Sequence, residues 1–167
     1  ASASACSSNS MDMLANNIHI WQERIAEASA KWGGAEICAV TKTRSAGEIN
    51  PAWDAGIRTI GENRVQELMG KIDQLNPDFK IHLIGSLQTN KVKFVVGAVD
   101  LIESVSSLRL LQAISDQAVK LGLVQDILLE INVGREEAKS GFLPEELPAA
   151  AQAAATLPGV RLRGLMA

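Results

Sequence analysis

The stretch EICAVTKTRSAGE, residues 36–48, reads as a strand that runs straight into a helix. Ile37, Cys38, Ala39 and Val40 are apolar and Thr41 is β-branched, the composition of a strand covered on both faces. Ser45-Ala-Gly-Glu48 then has the spacing of a helix capping box. Lys42 stands between the two, at the strand's C-terminal end. An ammonium in that place either reaches to water along its methylenes or is set there for chemistry.

Outward from this unit the same order repeats. Upstream, Leu14, Ile18, Trp21 and Ile25 recur on one helical face, with Lys31 in the last turn and Gly33-Gly34 as the stop. The patterning predicts strands over residues 37–42, 59–62, 80–85, 101–105, 126–132 and 160–166. Between them it predicts helices from Ser45 to Gly56, over 63–75 ahead of Pro77, and over 90–96. A further helix is capped by Ser107, carries Leu111, Ile114, Ala118 and Leu121, and ends at Gly122; the last runs from Pro144 to Leu157. Strands alternating with helices make a parallel sheet covered by helices. Two architectures satisfy that order, an open doubly wound sheet and a barrel. No G-x-G-x-x-G follows the first strand, which counts against a dinucleotide fold. An α/β fold of the (β/α)8 TIM-barrel type has eight such units, so on that reading this chain carries about six of the eight and is cut short in its C-terminal part.

Composition narrows the function. The 167 residues suffice for one domain, and 47% apolar with 21% charged is ordinary for a globular protein. Net charge is −3, with no basic block to hold nucleic acid. No apolar run approaches the ~20 residues of a membrane span. Two separated cysteines, Cys6 and Cys38, make neither a disulfide framework nor a zinc set, and point to a reducing, cytoplasmic setting. Residues 1–10 lack the plan of a signal peptide and read as a tail or vector remnant ahead of Met11, leaving a single domain over 11–167.

In parallel α/β folds the working groups gather at the C-terminal ends of strands. Here those ends offer Lys42, Glu62-Asn63, Gly85 to Asn90, Ser104, Asn132 and Met166. An amine that loses hydration at a barrel's inner edge becomes a nucleophile toward aldehydes. Asn63 either donates to a ligand oxygen or belongs to a helix cap, and Glu62 either pairs with an amine or opens an acidic first turn. His82 lies inside the third strand, where a hydrogen-bonded core role competes with a site role. The other histidine, His19, is on the first helix, which argues against a metal site. The segment 85–90 lines a pocket or turns the chain; the segment 131–142 is a mobile cover or a solvated connection.

Taken together, AVTKT around Lys42, GENRVQE at 61–67, HLIGSLQTNK at 82–91, ESVSS at 103–107, INVGREEAKSGF at 131–142 and RGLM at 163–166 resemble the pyridoxal-phosphate homeostasis protein family. Six motifs in this order make the resemblance specific, and it runs from about Leu14 to Ala167. It implies an alanine racemase N-terminal-like barrel in which Lys42 holds pyridoxal 5′-phosphate (PLP) as an internal aldimine. Asn63, Ser104 and Met166 would lie around the cofactor, with His82 and the stretch from Gly85 to Gln88 nearby. The implied role is vitamin B6 homeostasis without turnover, as a monomer or homodimer, with PLP-dependent apoenzymes as recipients. Departures are Ser45-Ala46 in place of a proline, and a phosphate cradle and pyridine-facing arginine that the family carries on later strands. A PLP-dependent racemase-like enzyme is the alternative. Its second base is a tyrosine, and this sequence contains none. A cofactor-free Schiff-base aldolase is the third reading.

Overall fold

The computed structural model describes residues 2–136 and 138–167, with side chains from residue 11 onward, so Cys6 lies outside the described side chains. Helix α1 (Ser2–Trp32) leads into β1 (Cys38–Val40), α2 (Ala46–Ile49), α3 (Pro51–Asp54), β2 (Thr59–Glu62) and α4 (Val65–Met69). Then follow β3 (Lys80–Leu83), α5 (Val92–Val95), β4 (Leu101–Val105), α6 (Leu108–Leu121), β5 (Gln125–Glu130), α7 (Leu147–Thr156) and β6 (Val160–Met166). All six strands are parallel and lie in chain order, β1-β2-β3-β4-β5-β6. A doubly wound sheet would reverse direction at β1. Sequential order belongs to the barrel type, of which the chain supplies six units.

Local chemistry explains most boundaries. Pro51 has no N–H to continue a helix, so the expected 45–56 helix divides into α2 and α3. Ser45 offers both its N–H and its hydroxyl to Glu48, at 2.9 and 2.8 Å. Ser107 accepts from the Leu110 N–H at 3.2 Å, and Gly122 closes α6 at φ +70. The first and third strands are shorter than expected because the chain turns at Thr41 and after Leu83. Two apolar assignments need correcting. Trp21 is 57% exposed, and Gln22 takes the inward place, donating to the Ala55 carbonyl. Leu121 is likewise exposed, because α6 buries Leu110, Leu111, Ile114, Ser115 and Ala118.

The sheet has two unlike faces. Ile60, Ile102, Ile127 and Leu129 face the helices and pack with Leu68, Val95, Leu111 and Ile114 in one fully buried core. Cys38, His82 and Glu103 lie on the other face, their polar atoms all within 4.8 Å of one another. Strands β1 and β4 are three steps apart, about 14 Å in a flat sheet. The sheet therefore curls toward this face. Gly61 on the intervening strand makes the approach feasible, since a Cβ there would lie 3.1 Å from the Cys38 sulfur. Among the described residues, no helix is long and apolar enough to cross a membrane.

Candidate functional site

Beyond β1 the chain turns at once. Thr41 N–H still pairs with the Gly61 carbonyl at 3.0 Å, and Arg44 N–H returns to the Thr41 carbonyl at 3.2 Å. Within that turn Thr43 sits at φ +64, the left-handed region that a β-branched residue rarely occupies. Lys42 is therefore on a turn rather than in the strand, and its side chain is exposed. The expected desolvation is not built by these residues, because β1 is an edge strand with a neighbour on one side only. Of the two readings for Glu62, pairing with an amine is the one that forms. Glu62 is fully buried and pairs with Lys71 at 2.8 Å, while the Thr41 hydroxyl donates to the same carboxylate.

Lys71 escaped sequence reasoning. It occupies the predicted 63–75 helix, where a lysine reads as solvated; the one local signal is Glu67, four residues earlier. In the fold it is buried, and its ammonium also reaches Glu67 at 3.0 Å, the Thr41 carbonyl at 3.1 Å and the Arg44 carbonyl at 2.9 Å. Burial pulls its pKa down, but hydrogen bonds to Glu62 and Glu67 more than offset this and hold it above the ordinary lysine value. Glu67 is held below its ordinary value, chiefly by the Lys71 hydrogen bond.

The other expected residues divide by depth. Asn63 follows β2 and is half-buried; α4 starts after Arg64, and among the described residues the Asn63 amide makes no cap. Gly85 follows β3 so closely that a Cβ would stand 2.2 Å from the Asn63 carbonyl oxygen. Ser104 lies in a register shift between Ile102 and Val105. It is 1% exposed, and its hydroxyl has no partner among the described residues. Met166 ends β6 opposite Glu130. These groups share the C-terminal rim with Lys42. His82 lies lower, level with Gly61, and its Nδ1 is 2.7 Å from a Glu103 oxygen. Below it the Cys38 thiol is raised to about 11, first by burial and then by Glu103. Leu87, within the 85–90 segment, belongs to the core.

The 131–142 segment is tied down where the structure describes it. Asn132 is buried; its amide donates to the Glu136 carbonyl at 2.8 Å and accepts from the Glu136 N–H at 3.1 Å. Arg135 and Glu145 make a two-pronged pair at 2.9 and 2.8 Å, and Ser140 donates to Glu130 at 2.7 Å. A cavity of about 440 Å³ opens there, lined in part by Glu130, Asn132, Lys139, Ser140 and Ala167. Among the described residues, the rim presents the exposed Lys42 amine, the buried Ser104 hydroxyl without a partner and the Asn63 amide. That set suits capture of a polar electrophile.

Residues 10–167 match the family described as alanine racemase, N-terminal domain. A pyridoxal phosphate homeostasis protein of Aquifex aeolicus (strain VF5) is 42% identical over 149 residues, covering 86% of this chain and 65% of that protein. One from Pseudomonas aeruginosa is 38% identical over 162 residues, 94% of this chain and 70% of that protein. Among solved structures, PipY of Synechococcus elongatus with PLP bound is similar at TM-score 0.73 and 35% identity, over 86% of this chain and 68% of that one. The chain thus spans about two thirds of the length of these relatives, 65% and 70% for the two curated ones.

Proposed function

This chain belongs to the alanine racemase N-terminal domain family and, within it, to the pyridoxal phosphate homeostasis proteins; from that premise we propose that it binds PLP at its strand tips and serves vitamin B6 balance without turnover. The observation that carries the reading is an amine and an orphaned hydroxyl on one rim. Lys42 is exposed beyond the tip of β1, and the Ser104 hydroxyl is buried without a partner among the described residues near the tip of β4. A buried hydroxyl without a partner costs about 1–3 kcal/mol, which a ligand's polar group would relieve.

Bound there, the cofactor supplies an aldehyde carbon open to attack by a primary amine. Lys42 is the covalent anchor in this reading. Asn63 and Ser104 orient polar substituents, Gly85 lets the backbone come close, Met166 adds an apolar wall and His82 borders the site from below. Proton transfer at a substrate carbon needs groups poised on both faces. The sequence has no tyrosine, the second base of the racemase reading, which supports a carrier over a racemase. The same reading makes residues 11–167 one binding domain of a cytoplasmic protein that serves PLP-dependent apoenzymes.

Incubation with PLP, borohydride reduction and peptide mapping test it. Expected are visible absorbance, a fixed label on Lys42, and loss of both in Lys42→Ala. A label that survives on another lysine, such as Lys139, refutes the anchor. A colourless protein refutes PLP binding and favours the cofactor-free aldolase reading. Exchange of the alanine α-proton in deuterated buffer, faster than with free cofactor, would refute the absence of turnover.

A further inference from the structure

The turn that carries Lys42 is held from behind by a buried ionic cluster. Lys71 is 7% exposed and Glu62 0%. The Lys71 ammonium spans the turn, donating to the carbonyls of Thr41 and Arg44, the residues that flank Lys42 and Thr43. Glu62 takes the Thr41 hydroxyl. Glu67 takes the Thr43 N–H at 2.5 Å. Together with the Arg44 to Thr41 hydrogen bond, these contacts occupy the backbone of the turn on both sides of Lys42. They also hold Thr43 at φ +64, a conformation that costs about 1 kcal/mol or more unless its surroundings enforce it.

Stability alone is a poor reason for such a cluster. Desolvating two ions can cancel their attraction, and an apolar pair of similar volume often does as well. Glu62 moreover leaves its second carboxylate oxygen buried without a partner among the described residues. An oxygen left so costs stability rather than adding to it. What the ammonium does that an apolar side chain cannot is join two carbonyls of one turn to two carboxylates behind it.

We propose that Lys71, braced by Glu62 and Glu67, is a positioning residue that fixes the backbone of the Lys42 turn and so holds the Lys42 amine ready for its aldehyde. The functional half of this statement rests on the PLP reading; the mechanical half does not.

Lys71→Met alone would strand a buried carboxylate, so the test uses the double variant Lys71→Met/Glu62→Gln, with Lys71→Arg as the conservative control. The first readout is amide hydrogen exchange in the cofactor-free protein. Thr43 and Arg44 are expected to exchange roughly tenfold faster or more in the double variant, while the α6 amide of Leu111 keeps its rate. Lys71→Arg keeps the charge and the donors, and is expected to keep the protection. The second readout is PLP captured on Lys42, measured as borohydride-fixed label against PLP concentration. Its apparent affinity is expected to fall by about tenfold in the double variant and to be retained in Lys71→Arg. Unchanged exchange at Thr43 and Arg44 overturns the proposal. Faster exchange with undiminished capture overturns the positioning role. If the unaltered chain captures no PLP, the reading of the function has failed, and exchange at Thr43 and Arg44 alone decides the clamp.

Discussion

Gly85→Ala isolates the closest backbone approach in the candidate site. An ideal Cβ at Gly85 would lie 2.2 Å from the Asn63 carbonyl oxygen, 2.7 Å from its Cα and 2.8 Å from its carbonyl carbon. All three are backbone atoms, so no side chain can swing aside. Relief requires moving the β2 tip from the β3 tip by about 1 Å, against the Ile84 N–H bond to the Glu62 carbonyl at 2.9 Å. Overpacking of this kind costs about 3 kcal/mol. Loss of glycine's freedom in the unfolded chain returns about 0.4–1 kcal/mol. The steric term wins, leaving a net loss of about 2 kcal/mol and a Tm lower by roughly 4–8 °C for a chain of this size. The assay is thermal unfolding followed by circular dichroism, with Gly47→Ala as the comparison. There the nearest atom is the Ser45 hydroxyl at 4.0 Å, so alanine fits and α2 gains up to about 1 kcal/mol of helix propensity. Should Gly85→Ala melt within 2 °C (roughly 0.5 kcal/mol) of the unaltered chain, the argument from close approach is wrong.

Two further expectations follow from ionisable groups. With its pKa pushed to about 11 from 9.0, Cys38 at pH 8 carries about a hundredth of the thiolate of an unperturbed thiol. In a Cys6→Ser background, iodoacetamide should alkylate it about a hundredfold more slowly than a free cysteine, and a rate within fivefold refutes the burial that underlies the shift. The ionic cluster also shapes stability against pH. Lys71 has a folded pKa above its unfolded 10.5, so its contribution is fully present below pH 10.5 and is lost as pH rises through the folded value. Glu67 has a folded pKa below its unfolded 4.5, so its contribution is present above pH 4.5 and is lost as pH falls through the folded value. Urea midpoints across pH should show Lys71→Arg extending the alkaline plateau and Glu67→Gln flattening the acid slope; parallel curves for all three proteins contradict the cluster.

Much of the architecture is legible from neighbours in sequence. The apolar run at 37–40, the Ser45–Glu48 box, Ser107 with Gly122 and the stripe Leu111, Ile114, Ala118 each act within a few residues, and each marks an element that forms. Their alternation already requires a parallel sheet, because a strand joined to the next through a helix returns in the same direction. The strand tips are legible for the same reason, which brings Lys42, Asn63, Gly85, Ser104 and Met166 to one rim.

What sequence could not supply is pairing across distance. Strand order 1 to 6, rather than a reversal at β1, is a property of the register between strands about twenty residues apart or more. Sequence left open which amine pairs with Glu62; the fold brings Lys71 to it at 2.8 Å. His82 meets Glu103 and Cys38 only because the sheet curls over Gly61. Trp21 and Leu121 carry helical periodicity yet are 57% and 50% exposed. Period and caps are written in bonds that span one turn; register, burial and charge pairing arise once distant segments share the same space.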